Sequence, residues 1–107
     1  MEGGINAWIF MENDMEDRGS TETILRVKGS SSASALAAAI AHGVYENKNV
    51  VLRAIGAGAV NQAVKAIAIA NSYVGAKGLI LSVRPGFTDV MMPDGKVTAI
   101  LLRIFAE

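Results

Sequence analysis

The stretch "AIGAGAVNQAVKAIAIA" at residues 54–70 decides the fold, because it joins a strand pattern to a helix pattern. The residues "VVLRAI" at 50–55 are apolar and rich in β-branched side chains, as is typical of a buried strand. Beyond Gly58, apolar residues recur at the spacing of one helix face, at Val60, Ala63, Val64 and Ile67. The sequence therefore predicts a strand, a tight turn and a long helix whose apolar face is covered on more than one side.

The glycines of this turn, Gly56 and Gly58, allow two interpretations. A dinucleotide-binding fingerprint would need a third glycine where Asn61 stands, and a P-loop would need a Gly-Lys-Ser/Thr sequence that is missing. The pair either serves only turn geometry and close packing, or it exposes the N–H groups of a helix N-terminus to an anion, with Lys65 one turn further on. Spacing alone leaves both open.

One strand and one helix precede this unit. In "TETILRV" at 21–27 apolar and polar residues alternate, which predicts a half-buried strand. The serines at 30–32 suit a helix N-cap, because a serine hydroxyl accepts from a free N–H of the first turn. Leu36, Ile40 and Val44 lie four residues apart, so we expect a helix through Gly43 to about Glu46.

Two strands follow the long helix. "LILSV" at 79–83 predicts a third strand that ends at Arg84, after which Pro85 and Gly86 suggest a bulge. "PDG" at 93–95 predicts a tight turn. The last strand, "VTAILLRIF" at 97–105, is apolar on both faces.

The elements follow the order β-α-β-α-β-β. This order predicts an α/β two-layer sandwich, with a four-stranded mixed sheet and two helices on one face. We expect the first three strands to pair through right-handed crossovers and the last two to form a hairpin. Because the last strand is apolar on both sides, we expect a partner on the helix-free face, and hence a homodimer or a multiple of it.

Length and composition limit the class of protein. The chain has 107 residues, 51% of them hydrophobic, which suits one small folded domain. It has no cysteine, which excludes disulfides and thiolate chemistry and is typical of a reducing compartment. No apolar run is long enough to span a membrane and no secretory signal is present. We therefore expect a cytoplasmic protein with no membrane contact.

Charge divides the chain into an acidic extension, residues 1–20, and a mildly basic domain, residues 21–107. Residues 1–18 hold five acidic residues and one basic residue, Arg18, whereas residues 19–107 hold nine basic and five acidic residues. One interpretation is a flexible, solvated extension that is dispensable for folding. The other is that the apolar residues at 8–10 dock on the domain while the acids cover basic groups.

Residues that could carry catalysis are few. His42 is the only histidine, so it cannot build a metal site alone. Asp94 belongs to the Pro-Asp-Gly turn, which leaves Asp89 without a second carboxylate for acid-base work. We expect no enzyme, no cofactor and no metal.

Three stretches together resemble the stage V sporulation protein S family: "LRVKGSSSASALAAAI" at 25–40, "AIGAGAVNQAVKAIAIA" at 54–70 and "PGFTDVMMPDGKVTAILLRI" at 85–104. The resemblance covers residues from about Thr23 to Ile104. It implies a small bacterial protein tied to spore development, septation and coat assembly. It also implies a fold similar to the archaeal Alba chromatin proteins, which are dimers that bind DNA and RNA.

Alba-type proteins place basic residues in the turn and first turn of the second helix, where this chain has Gly56, Gly58 and Gln62. They place a lysine pair before the first helix, where this chain has Gly29 and Ser30. The resemblance thus implies weak, salt-dependent contacts to the phosphates of DNA or RNA. The candidate nucleic-acid-binding residues are Lys28, Ser30, Gly56, Gly58, Asn61, Lys65, Arg84 and Lys96.

The expected function is that of a dimeric, Alba-like regulator that binds nucleic acid in sporulation or a related developmental process. The alternative is a dimeric module of the same fold that binds a protein or a small ligand. Met91 and Met92 near the hairpin tip would suit such a module, because exposed methionine adapts to varied partners, although they could equally belong to the core of an edge strand.

Overall fold

The structure, a computed structural model, describes residues 22–107. Its elements follow the predicted order: β1 Glu22–Val27, α1 Ala33–Tyr45, β2 Asn49–Ala54, α2 Ala57–Gly75, β3 Leu81–Met92 and β4 Gly95–Ala106. They form a four-stranded mixed sheet with two helices on one face, which confirms the predicted fold class. The predicted extension, residues 1–20, lies outside the described residues, so the boundary to the domain at 21–107 stays a prediction.

The strand order in the sheet is β1-β2-β4-β3. β1 and β2 are parallel, whereas β4 is antiparallel to both of its neighbours, β2 and β3. The expectation that the first three strands pair in series was therefore wrong for β3, since β4 lies between β2 and β3. The physical reason is that β4 is apolar on both faces and suits the interior of the sheet, whereas β3 carries Pro85 and is mostly exposed, as suits an edge.

β3 and β4 form one long hairpin without interruption. Pro85 pairs with Leu102 and Gly86 with Leu101, so the predicted bulge at Pro85 and Gly86 was wrong. An edge strand accommodates proline, because the nitrogen that lacks a hydrogen can face away from the neighbouring strand. The turn predicted at 93–95 is confirmed and closes the hairpin.

Both helices pack on one face of the sheet through small side chains. The buried stripe of α2 consists of alanines and one valine: Ala59, Ala63, Ala66, Ala70 and Val74. Alanine lets the helix approach the sheet and α1 closely, so larger residues lie beside the stripe. The prediction that Val64 belongs to the buried face was therefore wrong, because Val64 is 53% exposed.

The interior glycine of α1 lies where the helix packs tightly against the sheet. A Cβ atom on Gly43 would stand 2.6 Å from Cγ2 of Val50, which is fully buried. The prediction that α1 runs through Gly43 to about Glu46 is confirmed, since α1 ends at Tyr45 with Glu46 as its C-cap. Glycine is thus a packing requirement at this position.

Serine capping of α1 is also confirmed. Oγ of Ser32 accepts a hydrogen bond from the N–H of Ala35 at 3.2 Å, which fixes the first turn. Neither helix in residues 22–107 combines the length and apolar character needed to cross a membrane.

Candidate nucleic-acid interface

The carboxyl ends of β1 and β2 meet at one edge of the sheet. The two strands are parallel and in register up to Val27 and Ala54, so the loops that follow them lie side by side. The loop from β1 to α1 covers residues 28–32, and the joint from β2 to α2 covers residues 55–56. A Cβ atom on Gly58 would stand 3.6 Å from Cα of Gly29, so the two segments approach backbone to backbone. We call these two segments and the first turn of α2 the loop edge.

Hydrogen bonds hold the first loop of the loop edge in place. The N–H of Ser31 donates to the carbonyl oxygen of Lys28 at 3.0 Å, and the N–H of Lys28 donates to Oγ of Ser31 at 2.9 Å. Nε2 of Gln62 donates to the carbonyl oxygen of Ser31 at 2.8 Å, which ties the loop to α2. The loop edge is therefore one connected surface.

Sequence reasoning missed the roles of Ser31 and Gln62, because it treated Gln62 only as a position without a basic residue. Gln62 is partly buried and lies on the side of α2 that faces the β1–α1 loop. A glutamine within the first two turns of an alanine-rich helix was the available signal, since a partly buried amide needs a hydrogen-bond partner.

Gly56 and Gly58 play different parts. Gly56 is the N-cap of α2 at φ 93° and ψ 157°, a conformation almost confined to glycine. The need for glycine in the turn is therefore confirmed for Gly56. Gly58 is helical, and a Cβ at this position would make only an ordinary contact at 3.6 Å, so nothing in the packing requires glycine there.

The N-terminus of α2 is open. In contrast to α1, no side chain caps it, and residues 55–58 are exposed. The first helical bond runs from the N–H of Val60 to the carbonyl oxygen of Gly56 at 3.1 Å. The positive end of the helix dipole therefore lies at the surface of the loop edge.

The structure brings most of the predicted residues together. Lys28 and Ser30 flank Gly29 and are exposed beside the start of α2, where Asn61 is exposed as well. Lys65 is exposed on the side of α2 that points away from the sheet. The groups assembled here are ammonium, hydroxyl, amide and N–H groups, which bind anions. Within residues 22–107, no group of three or more histidine or acidic side chains is placed to hold a metal ion.

Lys96 and Arg84 lie apart from each other. β4 continues past the end of β2, where Ala54 pairs with Ile100, so the hairpin tip with Lys96 projects from the same end of the sheet as the loop edge. Nζ of Lys96 is 3.7 Å from Oδ2 of Asp89, in an exposed ion pair. Arg84 lies on the helix-free face, 4.9 Å above the ring of Phe105, and does not join the loop edge.

Large exposed apolar side chains lie on the helix side of the hairpin. Phe87 and Met91 are each 75% exposed, and they share a strand face with Val83, which packs on the core. Val64 lies two turns before Asn71 on the same side of α2. Oδ1 of Asn71 accepts from the N–H of Leu81 on β3 at 2.9 Å, so this side of the helix faces the hairpin. We call Val64, Phe87 and Met91 the α2–hairpin surface. The exposure of Met91, and of Met92 at 43%, shows that neither methionine belongs to a strand core within this chain.

Comparison with known proteins agrees with this architecture. The family model of stage V sporulation protein S (SpoVS) matches residues 23–107, and the chain belongs to that family. Membership indicates a sporulation-related role. Among solved structures, Alba from Thermoplasma volcanium is similar with a TM-score of 0.51 and 14% sequence identity. The match covers 77% of this chain and 98% of that chain and shows that this chain has the Alba fold.

Proposed function

We propose that this protein is a dimeric, Alba-like nucleic-acid-binding protein that acts as a regulator in sporulation, septation or a related developmental process. It binds DNA or RNA mainly through phosphates, works in the cytoplasm and catalyses no reaction. The observation that carries the proposal is the loop edge, where the β1–α1 loop and the open N-terminus of α2 form one exposed surface that contains Lys28.

The chemistry of the loop edge suits a phosphate backbone. An uncapped helix N-terminus directs N–H groups and a partial positive charge at an anion. The ammonium group of Lys28 adds a full charge at the loop edge and that of Lys65 adds one further along α2, while the hydroxyl of Ser30 and the amide of Asn61 add donors. Contacts of this kind position a nucleic acid but do not read its sequence. We therefore expect little sequence preference.

Dimerisation would give one particle two loop edges. The α2–hairpin surface leaves a valine, a phenylalanine and a methionine each more than half exposed, and large apolar side chains exposed in this way favour a partner over water. A two-fold axis at this surface would bury it against its own copy. The loop edges of both protomers would then belong to one particle, with the hairpin tips and Lys96 projecting from it.

A charge reversal at Lys28 tests the phosphate contacts. Lys28→Glu should weaken binding to labelled DNA and RNA alike and reduce the log-log salt slope by about 2 per dimer, because each of two protomers loses one phosphate contact. The matched control is Lys77→Glu, which makes the same change beyond the far end of α2, where Nζ of Lys77 lies 5.2 Å from the centre of the Tyr45 ring. Fluorescence anisotropy measures both. Equal affinity of the Lys28 variant and the wild type would refute the proposed contact.

A second pair of variants tests the dimer. Phe87→Asp on the α2–hairpin surface should yield a monomer in light scattering, because it buries a charge in the proposed interface. Phe105→Asp, on the helix-free face, should leave the dimer intact. A monomer from Phe105→Asp together with a dimer from Phe87→Asp would move the interface to the helix-free face, where the sequence pattern first placed it.

The alternative, a module that binds a protein or a small ligand, is favoured by the exposure of Met91 and Met92 at the hairpin. It predicts a dimer that binds neither DNA nor RNA at low salt. The anisotropy experiment with the wild-type protein therefore separates the two functions.

A further inference from the structure

Arginine and lysine occupy different faces of this domain. Each strand contributes one arginine, and the four are Arg26, Arg53, Arg84 and Arg103. Every lysine of residues 22–107 lies elsewhere, in loops, on α2 or at the hairpin tip on the helix side of the sheet. The proposed phosphate contacts at the loop edge involve lysine and leave the four strand arginines unexplained.

Strand alternation directs all four arginines to the helix-free face. Arg26 lies between Leu25 and Val27, which both belong to the core; Arg53 and Arg103 likewise lie between core residues, and Arg84 follows Val83, which packs on the core. Register places Arg26 beside Arg53 on the first two strands, and Arg84 beside Arg103 on the last two. We call this set the arginine face.

An ion pair confirms that side chains meet across this face. Nη1 of Arg103 on β4 contacts Oε2 of Glu22 on β1, so the guanidinium spans the intervening β2. Among the described strand residues on this face, Glu22 is the only carboxylate against four arginines. Like charges side by side on a sheet destabilise it unless anions compensate them.

The arginine face is also apolar between its charges. Ile24, Val51 and Leu101 lie on it, and register places Val51 beside Arg103 and Leu101 beside Arg53. The ring of Phe105 lies under the guanidinium of Arg84. An occupant of this face therefore needs carboxylates together with apolar or aromatic groups.

We infer that residues 1–18 of the same chain dock on the arginine face. This segment carries Glu2, Glu12, Asp14, Glu16 and Asp17 against a single Arg18, and it contains the sequence Trp8-Ile9-Phe10. Arginine binds carboxylates through paired hydrogen bonds and stacks on aromatic rings, so it suits both parts of the segment better than lysine would.

The length of the segment allows this contact. The chain enters the sheet at Glu22 on the edge strand β1, five residues after Asp17. Five extended residues span about 16 Å, close to the width of a four-stranded sheet at ~4.8 Å between strands. The acids at 12–17 can thus reach arginines on all four strands. Because the segment is tethered, its effective concentration is on the order of millimolar, which favours it over a free partner.

Trp8 reports directly on docking, because it is the only tryptophan of the chain. With the full-length protein and no nucleic acid present, its emission should be blue-shifted and quenched by acrylamide several-fold less than that of free tryptophan. Arg53→Gln should raise the quenching towards that of free tryptophan. Lys65→Gln, which removes the same charge from the outer side of α2, should leave it unchanged.

A second variant leaves the sheet intact and changes only the segment: Glu12→Gln, Asp14→Asn, Glu16→Gln and Asp17→Asn combined. It should release Trp8 to the same extent as the arginine variant. The protection of Trp8 should also be independent of protein concentration from about 1 to 50 μM, since an intrachain contact does not depend on mass action.

Three results would overturn the inference. The first is a Trp8 that is quenched like free tryptophan in the wild type. The second is protection that survives both the arginine variant and the acid variant. The third is protection that grows with protein concentration, which would assign the segment to a second copy. None of these readouts involves nucleic acid, so failure here is distinct from failure of the proposed function.

Discussion

Gly43→Ala is the substitution whose effect on stability follows most directly from the geometry. Alanine normally stabilises a helix interior relative to glycine by about 1 kcal/mol. Here, however, the added Cβ would stand 2.6 Å from Cγ2 of Val50. Carbon atoms pack at about 3.5–4.0 Å, so α1 or Val50 would have to move by roughly 1 Å.

Neither partner can yield easily. Val50 is 1% exposed, and as a β-branched residue it has little rotamer freedom. Overpacking in such a core costs about 1–3 kcal/mol, which exceeds the gain in helix propensity. After the gain of about 1 kcal/mol in helix propensity is subtracted, we expect Gly43→Ala to lower the free energy of unfolding by up to about 2 kcal/mol, which is up to roughly 16 °C in melting temperature for a domain of this size.

The matched control is Gly75→Ala at the end of α2. A Cβ there meets nothing within 4 Å, and its backbone is helical. Its stability should equal or slightly exceed that of the wild type. Circular dichroism melts of both variants make the comparison. A Gly43 variant as stable as the Gly75 variant would refute the close approach of α1 to β2.

Three further substitutions test the loop edge. Gly56→Ala should destabilise the protein by about 1–3 kcal/mol in thermal melts, because its φ of 93° strains any other residue. Gly58→Ala should leave the stability unchanged. An equal loss of stability in both variants would contradict the different roles of the two glycines. Ser32→Ala should cost about 1 kcal/mol through loss of the cap on α1, whereas Ser34→Ala, inside the helix, should cost little. Gln62→Ala should speed amide hydrogen exchange in residues 28–32, since it removes the bond to Ser31; unchanged exchange would show that the loop is held otherwise.

Much of the fold could be predicted, because periodicity and turn chemistry are local. The four-residue spacing of Leu36, Ile40 and Val44 predicted α1, and the glycine joint at 56–58 predicted the start of α2. The order of strands in the sheet was not predicted correctly, since it depends on which strand best tolerates the edge of the sheet. The sequence contained that information in the two apolar faces of β4 and in Pro85, but reading Pro85 as a bulge concealed it.

The candidate site was predicted in part. The family resemblance implied Lys28, Ser30, Gly56, Gly58 and Asn61 as one site, and the structure brings them together because the loops after the parallel neighbours β1 and β2 meet at one edge. Arg84 lies on the opposite, helix-free face, because it follows Val83, which packs on the core, and successive strand residues point to opposite faces. The same alternation directs the other three arginines to that face, but their placement beside one another depends on the pairing of strands, which no single strand reveals.

The most direct test of the proposed function is the salt dependence of binding to mixed-sequence DNA and RNA, measured by anisotropy with the wild-type protein. We predict micromolar or weaker affinity, a log-log slope of about −3 to −5 that corresponds to roughly four to six phosphates per dimer, and little binding by ~200 mM salt. A slope near zero, or no measurable binding of either nucleic acid even at ~20 mM salt, would contradict a phosphate-binding role for the loop edge.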